Sequence, residues 1–250
     1  MLTRHRKQQI LAILKQHGQV VAKDISQAMG VSEDTIRRDL REMAREGLLQ
    51  RVHGGALPAS PALADFAGRE GITPDGKVAI GRAAAKMIQT GQVVMLDGGT
   101  TAREVARHIP QDLRATIVTH SPTIAVELLN HSVDVIIIGG RLFRHSVVAV
   151  GAAATEAIAD VHADTYFMGV TGLHPKTGLT TGDYEEAAVK RALSRAAAET
   201  IVLASSEKLN AASAYVVVPL TAISGIITER ATASSLTKPY EKMGISVTRA

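Results

Sequence analysis

Asp97, Gly98, Gly99, Thr100 and Thr101 stand directly after the apolar run Val93 to Leu96. That order of residue types makes a seat for an anion. A strand ending at Asp97, a glycine loop and a helix starting at Thr101 gather backbone N–H groups round one point, and the helix dipole adds partial positive charge there. Thr100 and Thr101 add hydroxyl donors. The same residues equally suit a plain strand-to-helix turn with a threonine cap. What favours a site is that polar patches recur after other apolar stretches: "VTHS" with His120 and Ser121, "IIGGRL" with Gly139 and Gly140, and "ASSEKL" with Lys208. Loops at the carboxyl ends of parallel strands converge on one crevice, where open α/β sheets bind ligands.

Lys208 and Lys190 are the candidate cations for that crevice. Lys208 follows two serines directly after a strand, which favours it. Lys190 lies four residues after Glu186 on an expected helix, so an ordinary i, i+4 pair accounts for it equally well. His120 can sense pH or bind a hydroxyl, or be a satisfied structural histidine. The other eight histidines show no close pair at metal-ligand spacing, and no metal site, catalytic residue or cofactor is expected.

The elements that would position these residues follow from periodicity. Beyond residue 75, apolar strand candidates at 93–96, 116–118, 135–138, 165–168, 200–203, 215–218 and 225–227 alternate with helical stretches at 77–89, 101–108, 122–130, 153–160 and 184–198. Such alternation implies βαβ units and a mostly parallel sheet. Residues 59–75, rich in Pro, Gly and small side chains without a clear period, read as a linker.

The first fifth of the chain is of another kind. Residues 1 to 53 hold ten Lys/Arg against six Asp/Glu, whereas residues 54 to 250 hold eighteen of each, so the whole net charge of +4 sits at one end. This is the electrostatic footprint of a nucleic-acid-binding module. Thr3 to Gly18 and Ala22 to Met29 read as two helices. Ser32 is a suitable N-cap for a third, with Glu33 and Asp34 in its first turn. Ile36, Leu40 and Met43 recur on one face, while Thr35, Arg37, Arg38, Arg41 and Arg45 occupy the rest. The spacing is that of a helix-turn-helix whose second member enters a major groove, with Ser32, Glu33, Thr35, Arg37, Arg38 and Arg41 on the DNA side. "LLQRVHGGA" reads as a wing, with Arg51 and His53 placed to touch the DNA backbone.

There is no cysteine, which removes disulfides, thiolate metal sites and cysteine nucleophiles. The opening residues lack the apolar core of a signal peptide, and no stretch reaches the roughly 18 to 20 apolar residues of a membrane span. A cytoplasmic protein without membrane contact is expected.

"VSEDTIRRDLREMAREGLLQRVHGGA" resembles the N-terminal signature of the DeoR-type family of bacterial transcription regulators, and "LDGGTT", "VTHS", "IIGGRL", "GLTTGDYEEAAVKRAL" and "ASSEKL" extend the resemblance over most of the chain. It implies an α/β protein. A winged helix-turn-helix at residues 3–58 would bind operator double-stranded DNA, and a mostly parallel α/β effector domain at 76–250 would resemble the ribose-5-phosphate isomerase fold. It further implies a homo-oligomer, dimer or tetramer, and a regulator of a carbohydrate or polyol operon, expected to be a repressor. The implied effector is a phosphorylated sugar or related metabolite, whose hydroxyls Asp97, Asp183 and Glu186 can accept. The chain departs from the family pattern at His120, where members commonly carry Asn, and at Ser205 and Glu207, where they carry Asp and Ser. Those departures are where ligand choice is expected to lie.

Two other readings fit parts of the chain. An aldose–ketose isomerase would need a carboxylate base and a cation for the enediolate, roles open to Glu186 and Lys190, but no second catalytic constellation accompanies them. A dinucleotide-binding redox sensor conflicts with "LDGGTTA", which lacks the G-x-G-x-x-G spacing.

Overall fold

The computed structural model describes residues 2–250. Helix α1 (Thr3–His17) stops at Gly18, whose left-handed φ of 70° lets its N–H close on the Leu14 carbonyl. Helix α2 (Ala22–Met29) follows, and α3 (Glu33–Arg45) starts at Ser32, whose hydroxyl accepts the Thr35 N–H. Ile10, Leu14, Ile25, Ile36, Leu40 and Met43 bury one shared cluster between the three helices. Strands β2 (Leu49–Val52) and β3 (Gly55–Pro58) form the antiparallel wing. A two-residue strand, β1 (Val20–Val21), pairs with β3 and ties the wing to the turn between α1 and α2. Arg6 of α1 grips both carboxylate oxygens of the fully buried Asp39 of α3, which fixes how α3 is rotated beneath its exposed face.

Residues 59–75, expected as a linker, fold onto the second domain. The Ser60 hydroxyl donates to the Thr171 carbonyl, and Ala62 is buried. Helix α4 (Phe66–Glu70) is capped by Asp65. The Phe66 N–H donates to the His145 carbonyl at 2.8 Å. Arg103 lies over the Phe66 ring at 5.2 Å and pairs with Glu70 at 2.6 Å. The segment lacks a readable period because it packs as a strap through single contacts, not through a repeating face.

The second domain runs α5 (Pro74–Ala85), β4 (Val93–Leu96), α6 (Thr100–His108), β5 (Thr116–Thr119), α7 (Pro122–Glu127) and β6 (Asp134–Ile137). It continues with β7 (Arg141–Phe143), β8 (Val148–Val150), α8 (Ala152–Ala159), β9 (Ala163–Gly169), β10 (Gly172–His174) and β11 (Gly178–Thr181). The chain closes with α9 (Tyr184–Arg195), β12 (Ala197–Leu203), β13 (Tyr215–Val216), β14 (Gly225–Thr228), α10 (Ser234–Glu241) and β15 (Ser246–Arg249). A seven-stranded parallel sheet has the order β15-β14-β12-β9-β4-β5-β6.

The strand residues alternate between two cores, which is why these strands read as continuous apolar runs. Val94, Leu96, Ile117, Phe167 and Leu203 pack with Ile80 of α5 and Val105 of α6 on one face. Met95, Val118, Tyr166, Met168 and Val202 pack with Ile158 of α8, Val189 of α9 and Tyr240 of α10 on the other. One expected strand belongs elsewhere. Tyr215 and Val216 pair with β11 in a small antiparallel sheet with β10, because this stretch returns from a loop and not from a crossover helix. Strands β7, β8, β10 and β11 are three or four residues each, too short to show a period.

Sheet order decides where the loops meet. From β4 the chain steps outward through β5 to β6; from β9 it steps the other way, through β12 and β14 to β15. The carboxyl ends of β4 and β9 therefore flank a topological switch point, where a crevice opens.

Candidate functional site

The loop after β4 forms one wall of that crevice. At Gly98 a Cβ would stand 2.1 Å from Val148 Cγ1, so only glycine lets the chain pass. Gly99 has a φ of 102°, outside the range side chains favour. Thr100 and Thr101 then open α6, whose first amides have no intrahelical acceptor and face the crevice as donors.

Asp97 holds this loop from below and is completely buried. One of its oxygens accepts from His120 Nε2 at 2.9 Å and from the Gly98 N–H at 2.8 Å. The other accepts from Lys190 Nζ at 2.5 Å and the Gly169 N–H at 2.7 Å. Burial alone would raise this carboxyl, but the Lys190 charge and the His120 bond outweigh it and hold Asp97 well below the usual carboxylate range. His120 Nδ1 meets the Ala149 carbonyl at 3.0 Å. The buried Tyr166 hydroxyl is pushed up by burial and by the neighbouring Asp97 carboxylate.

The crevice itself is ringed by charge. Arg69, Lys77, Lys190 and Lys208 line it together with Glu186 and Glu207. Lys77, Lys190 and Lys208 are each nearly buried. Lys208 Nζ lies 3.3 Å from Thr101 Oγ1. Burial, only partly offset by Glu207, together with repulsion from Lys77, Arg69 and Lys190, lowers Lys208 to about 8. Burial also pulls down Lys77, whose Nζ donates to the Arg69 carbonyl, and Arg69, whose Nε is buried without a partner. Glu186 accepts the Thr181 hydroxyl at 2.9 Å and lies 3.6 Å from Lys190. Arg69, Thr171 and Glu186 also line an adjoining cavity that reaches His145, Ser146 and Asp183.

Of the residues expected from the sequence, Gly98, Gly99, Thr100, Thr101, Glu186, Lys190 and Lys208 meet at this crevice. Lys190 is no surface pair; its nearest partner is Asp97, ninety-three positions away. Asp97 and His120 support the floor from beneath and do not line it. Ser121 turns aside to Thr123 Oγ1 at 2.8 Å and the Val147 carbonyl at 3.1 Å. Asp183 caps α9 through the Glu186 N–H at 2.9 Å and faces only the adjoining cavity. Gly139 and Gly140 lie away from the crevice, since β6 is the third strand out from β9 and its loop does not reach back. Arg69 and Lys77 escaped the sequence reading, because they sit in and just beyond a segment whose only legible feature was its lack of pattern. Glu207, noted only as a departure, takes part directly: its carboxylate accepts from Thr73 Oγ1 at 3.0 Å and Ser205 Oγ at 2.6 Å.

At the basic end, Ser32, Arg37, Arg38, Arg41, Arg51 and His53 are exposed, and Glu33 and Thr35 are half-buried. Glu33 binds Arg37 through two contacts, of 2.7 and 3.1 Å. Arg41 Nε donates to the Arg37 carbonyl at 3.3 Å. Arg38 has no ion-pair partner among the described residues, which leaves its full charge and donor fork for a polyanion. Three helices with an exposed, arginine-rich third member and a hairpin wing make a winged helix-turn-helix.

Residues 6–61 match the DeoR-like helix-turn-helix domain, and residues 72–230 match the DeoR C terminal sensor domain. The HTH-type transcriptional regulator GlpR of Haloferax volcanii is 33% identical over 249 residues, 99% of this chain and 98% of its own. The glycerol-3-phosphate regulon repressor of Escherichia coli K12 is 32% identical over 186 residues, 74% of each chain. Among solved structures, ribose 5-phosphate isomerase A from Methanocaldococcus jannaschii gives a TM-score of 0.41 at 17% identity over 54% of each chain. Among the described residues no helix is long and apolar enough to cross a membrane.

Proposed function

The chain belongs to the DeoR family of transcriptional regulators, and from that premise we propose that it is a repressor of a carbohydrate or polyol catabolic operon whose effector is a phosphorylated sugar or a related metabolite. The single observation that carries the choice of effector is the charge of the crevice. Four cations, Arg69, Lys77, Lys190 and Lys208, face two lining carboxylates, Glu186 and Glu207, and Asp97 beneath supplies a third negative charge. One positive charge is left over in a nearly buried site, beside the open amides of α6. A phosphate ester carrying roughly −1.5 to −2 charges at neutral pH answers that surplus. Its phosphate sits against Gly99 to Thr101, Lys77 and Lys208, and its hydroxyls extend past Glu186 towards Asp183. The name of the Escherichia coli relative, a glycerol-3-phosphate regulon repressor, supports this ligand class.

The family is one of regulators and not of enzymes, and the pair that an isomerase would need is engaged elsewhere: Lys190 with Asp97, Glu186 with Thr181. Site geometry also suggests how occupancy reaches DNA. Arg69 and Glu207, through its bond to Thr73, attach the effector to the 59–75 strap, and Ser60 and Pro58 lead from that strap into β3 of the wing. An effector that draws Arg69 and Lys77 inward moves the strap, and with it the wing. By linkage, operator DNA weakens effector binding by the same factor.

The test is a melting-temperature screen of the full chain against matched pairs of phosphorylated and free sugars and polyols, followed by operator-binding titrations with each hit. A phosphorylated member that stabilises the protein and releases operator, while its free counterpart does neither, is the expected result. Equal response to the free compound would overturn the phosphate assignment.

A further inference from the structure

We propose that the open edge of β6 is the contact through which two copies of this chain pair, antiparallel and strand to strand, across a two-fold axis. The sheet has two free edges of opposite character. The β15 edge carries Ser246, Thr248 and Arg249, and Arg249 is spent on Thr232, Ser234 and Thr237. At the β6 edge Val135, Ile136 and Ile137 are 37%, 47% and 53% exposed, and Val126, Leu129 and Leu142 from the flanking segments are exposed with them. An exposed apolar edge left open is an aggregation hazard unless something covers it.

The backbone says what kind of cover fits. Asp134 and Ile138 donate their N–H groups inward to β5, at 2.9 and 2.8 Å. The alternate residues, Val135 and Ile137, therefore direct theirs outward, where they need a strand to bond. A second β6 run antiparallel places Val135 of each copy opposite Ile137 of the other, satisfies those outward groups in both chains, and sets Ile136 against itself on the axis. Charge favours the same arrangement. Asp134 begins the strand and Arg141 and Arg144 follow it, so antiparallel copies bring acidic ends towards basic ones. A two-fold axis also gives one recognition helix per operator half-site, which is where this inference rests on the regulator reading.

The chain has no cysteine, so one introduced cysteine can form a disulfide only with the same residue of another copy. Mild oxidation of full-length Ile136→Cys should give a covalent dimer on a non-reducing gel, because facing residues of a non-hydrogen-bonded antiparallel pair lie close enough to bridge. Ser246→Cys, on the other edge, should remain unlinked. In sedimentation without DNA or effector, the wild type should run at a multiple of 26.4 kDa and Ile137→Lys at a smaller multiple. Operator affinity should fall about 100-fold or more with the lost bivalency, and the effector-induced melting shift should persist. A monomeric wild type, an unlinked Ile136→Cys, or an Ile137→Lys of unchanged mass would each overturn the pairing and leave the regulator reading standing. If Ile137→Lys precipitates, the cross-link alone decides. Failure of the regulator reading would instead show as loss of operator and effector response in protein of normal mass.

Discussion

Replacing Lys208 by methionine should move stability and effector binding in opposite directions. Folding lowers Lys208 from its ordinary 10.5 to about 8. At about 1.4 kcal/mol per unit, holding this ammonium in the crevice costs about 3 kcal/mol at neutral pH, with the attraction of Glu207 already included. The sign follows from proton linkage. Between about pH 8 and 10.5 the unfolded chain binds the proton and the folded one has released it, so the cost is present in full below 8 and fades as pH rises towards 10.5. Lys208→Met, which keeps the length and loses the charge, should therefore melt higher than wild type at pH 7, and the gap should close towards pH 10. The same change removes a charge-assisted bond to phosphate, worth about 1.5–3 kcal/mol, so effector affinity should drop about 10- to 150-fold. In the wild type, effector affinity should itself decline as pH rises through 8. Differential scanning fluorimetry across pH, with and without the phosphorylated hit, reads all of this. A Lys208→Met protein that melts lower than wild type at pH 7 and keeps its effector shift would refute both the electrostatic account and the placement of the phosphate.

Asp97→Asn leaves Lys190 buried without its counter-charge and should destabilise the second domain by about 3–5 kcal/mol in denaturant titrations. Because Asp97 is held below its ordinary 3.8, its contribution should be present above that pH and be lost on acidification, a loss the Asn variant should not show. Asp39→Ala removes the carboxylate that the buried Arg6 grips with two nitrogens and should cost the DNA-binding domain a similar amount, read as early loss of operator binding on heating while the effector shift of the second domain is unchanged. Arg38→Ala, which breaks no ion pair, should leave the melting temperature within about 0.5 kcal/mol of wild type and weaken operator binding by about 1–3 kcal/mol in anisotropy titrations.

The parts legible in the sequence are those where local pattern and final structure agree. Ser32 reads as a cap, Gly18 as a stop, and Ile36, Leu40 and Met43 as a face, because each acts within one or two helical turns of itself. Apolar runs such as Val93 to Leu96 read as strands since a sheet covered on both faces needs apolar residues at every position. Among the residues that line the crevice, Gly98, Gly99, Thr100, Thr101 and Lys208 are legible because they follow such runs, whereas Lys77 sits on a helix face with nothing local to mark it. His120 and Gly139 share the signature of a loop after a strand but not the position, and a signature of residue type carries no information on distance from the switch point.

What the sequence alone determined is therefore the division of labour: a basic winged helix-turn-helix ahead of a parallel α/β domain, with a glycine–threonine loop after the first strand of its sheet. The tertiary structure decided membership of the site. Asp97 and Lys190, ninety-three positions apart, become neighbours only because β9 lies between β4 and β12, and that order splits the loops into those that meet at the switch point and those left at the edge. Arg69 enters the crevice because the strap before it finds single contacts on a surface that other segments build. Strand order and surface complementarity are properties of the whole packed chain, and no window of sequence contains them.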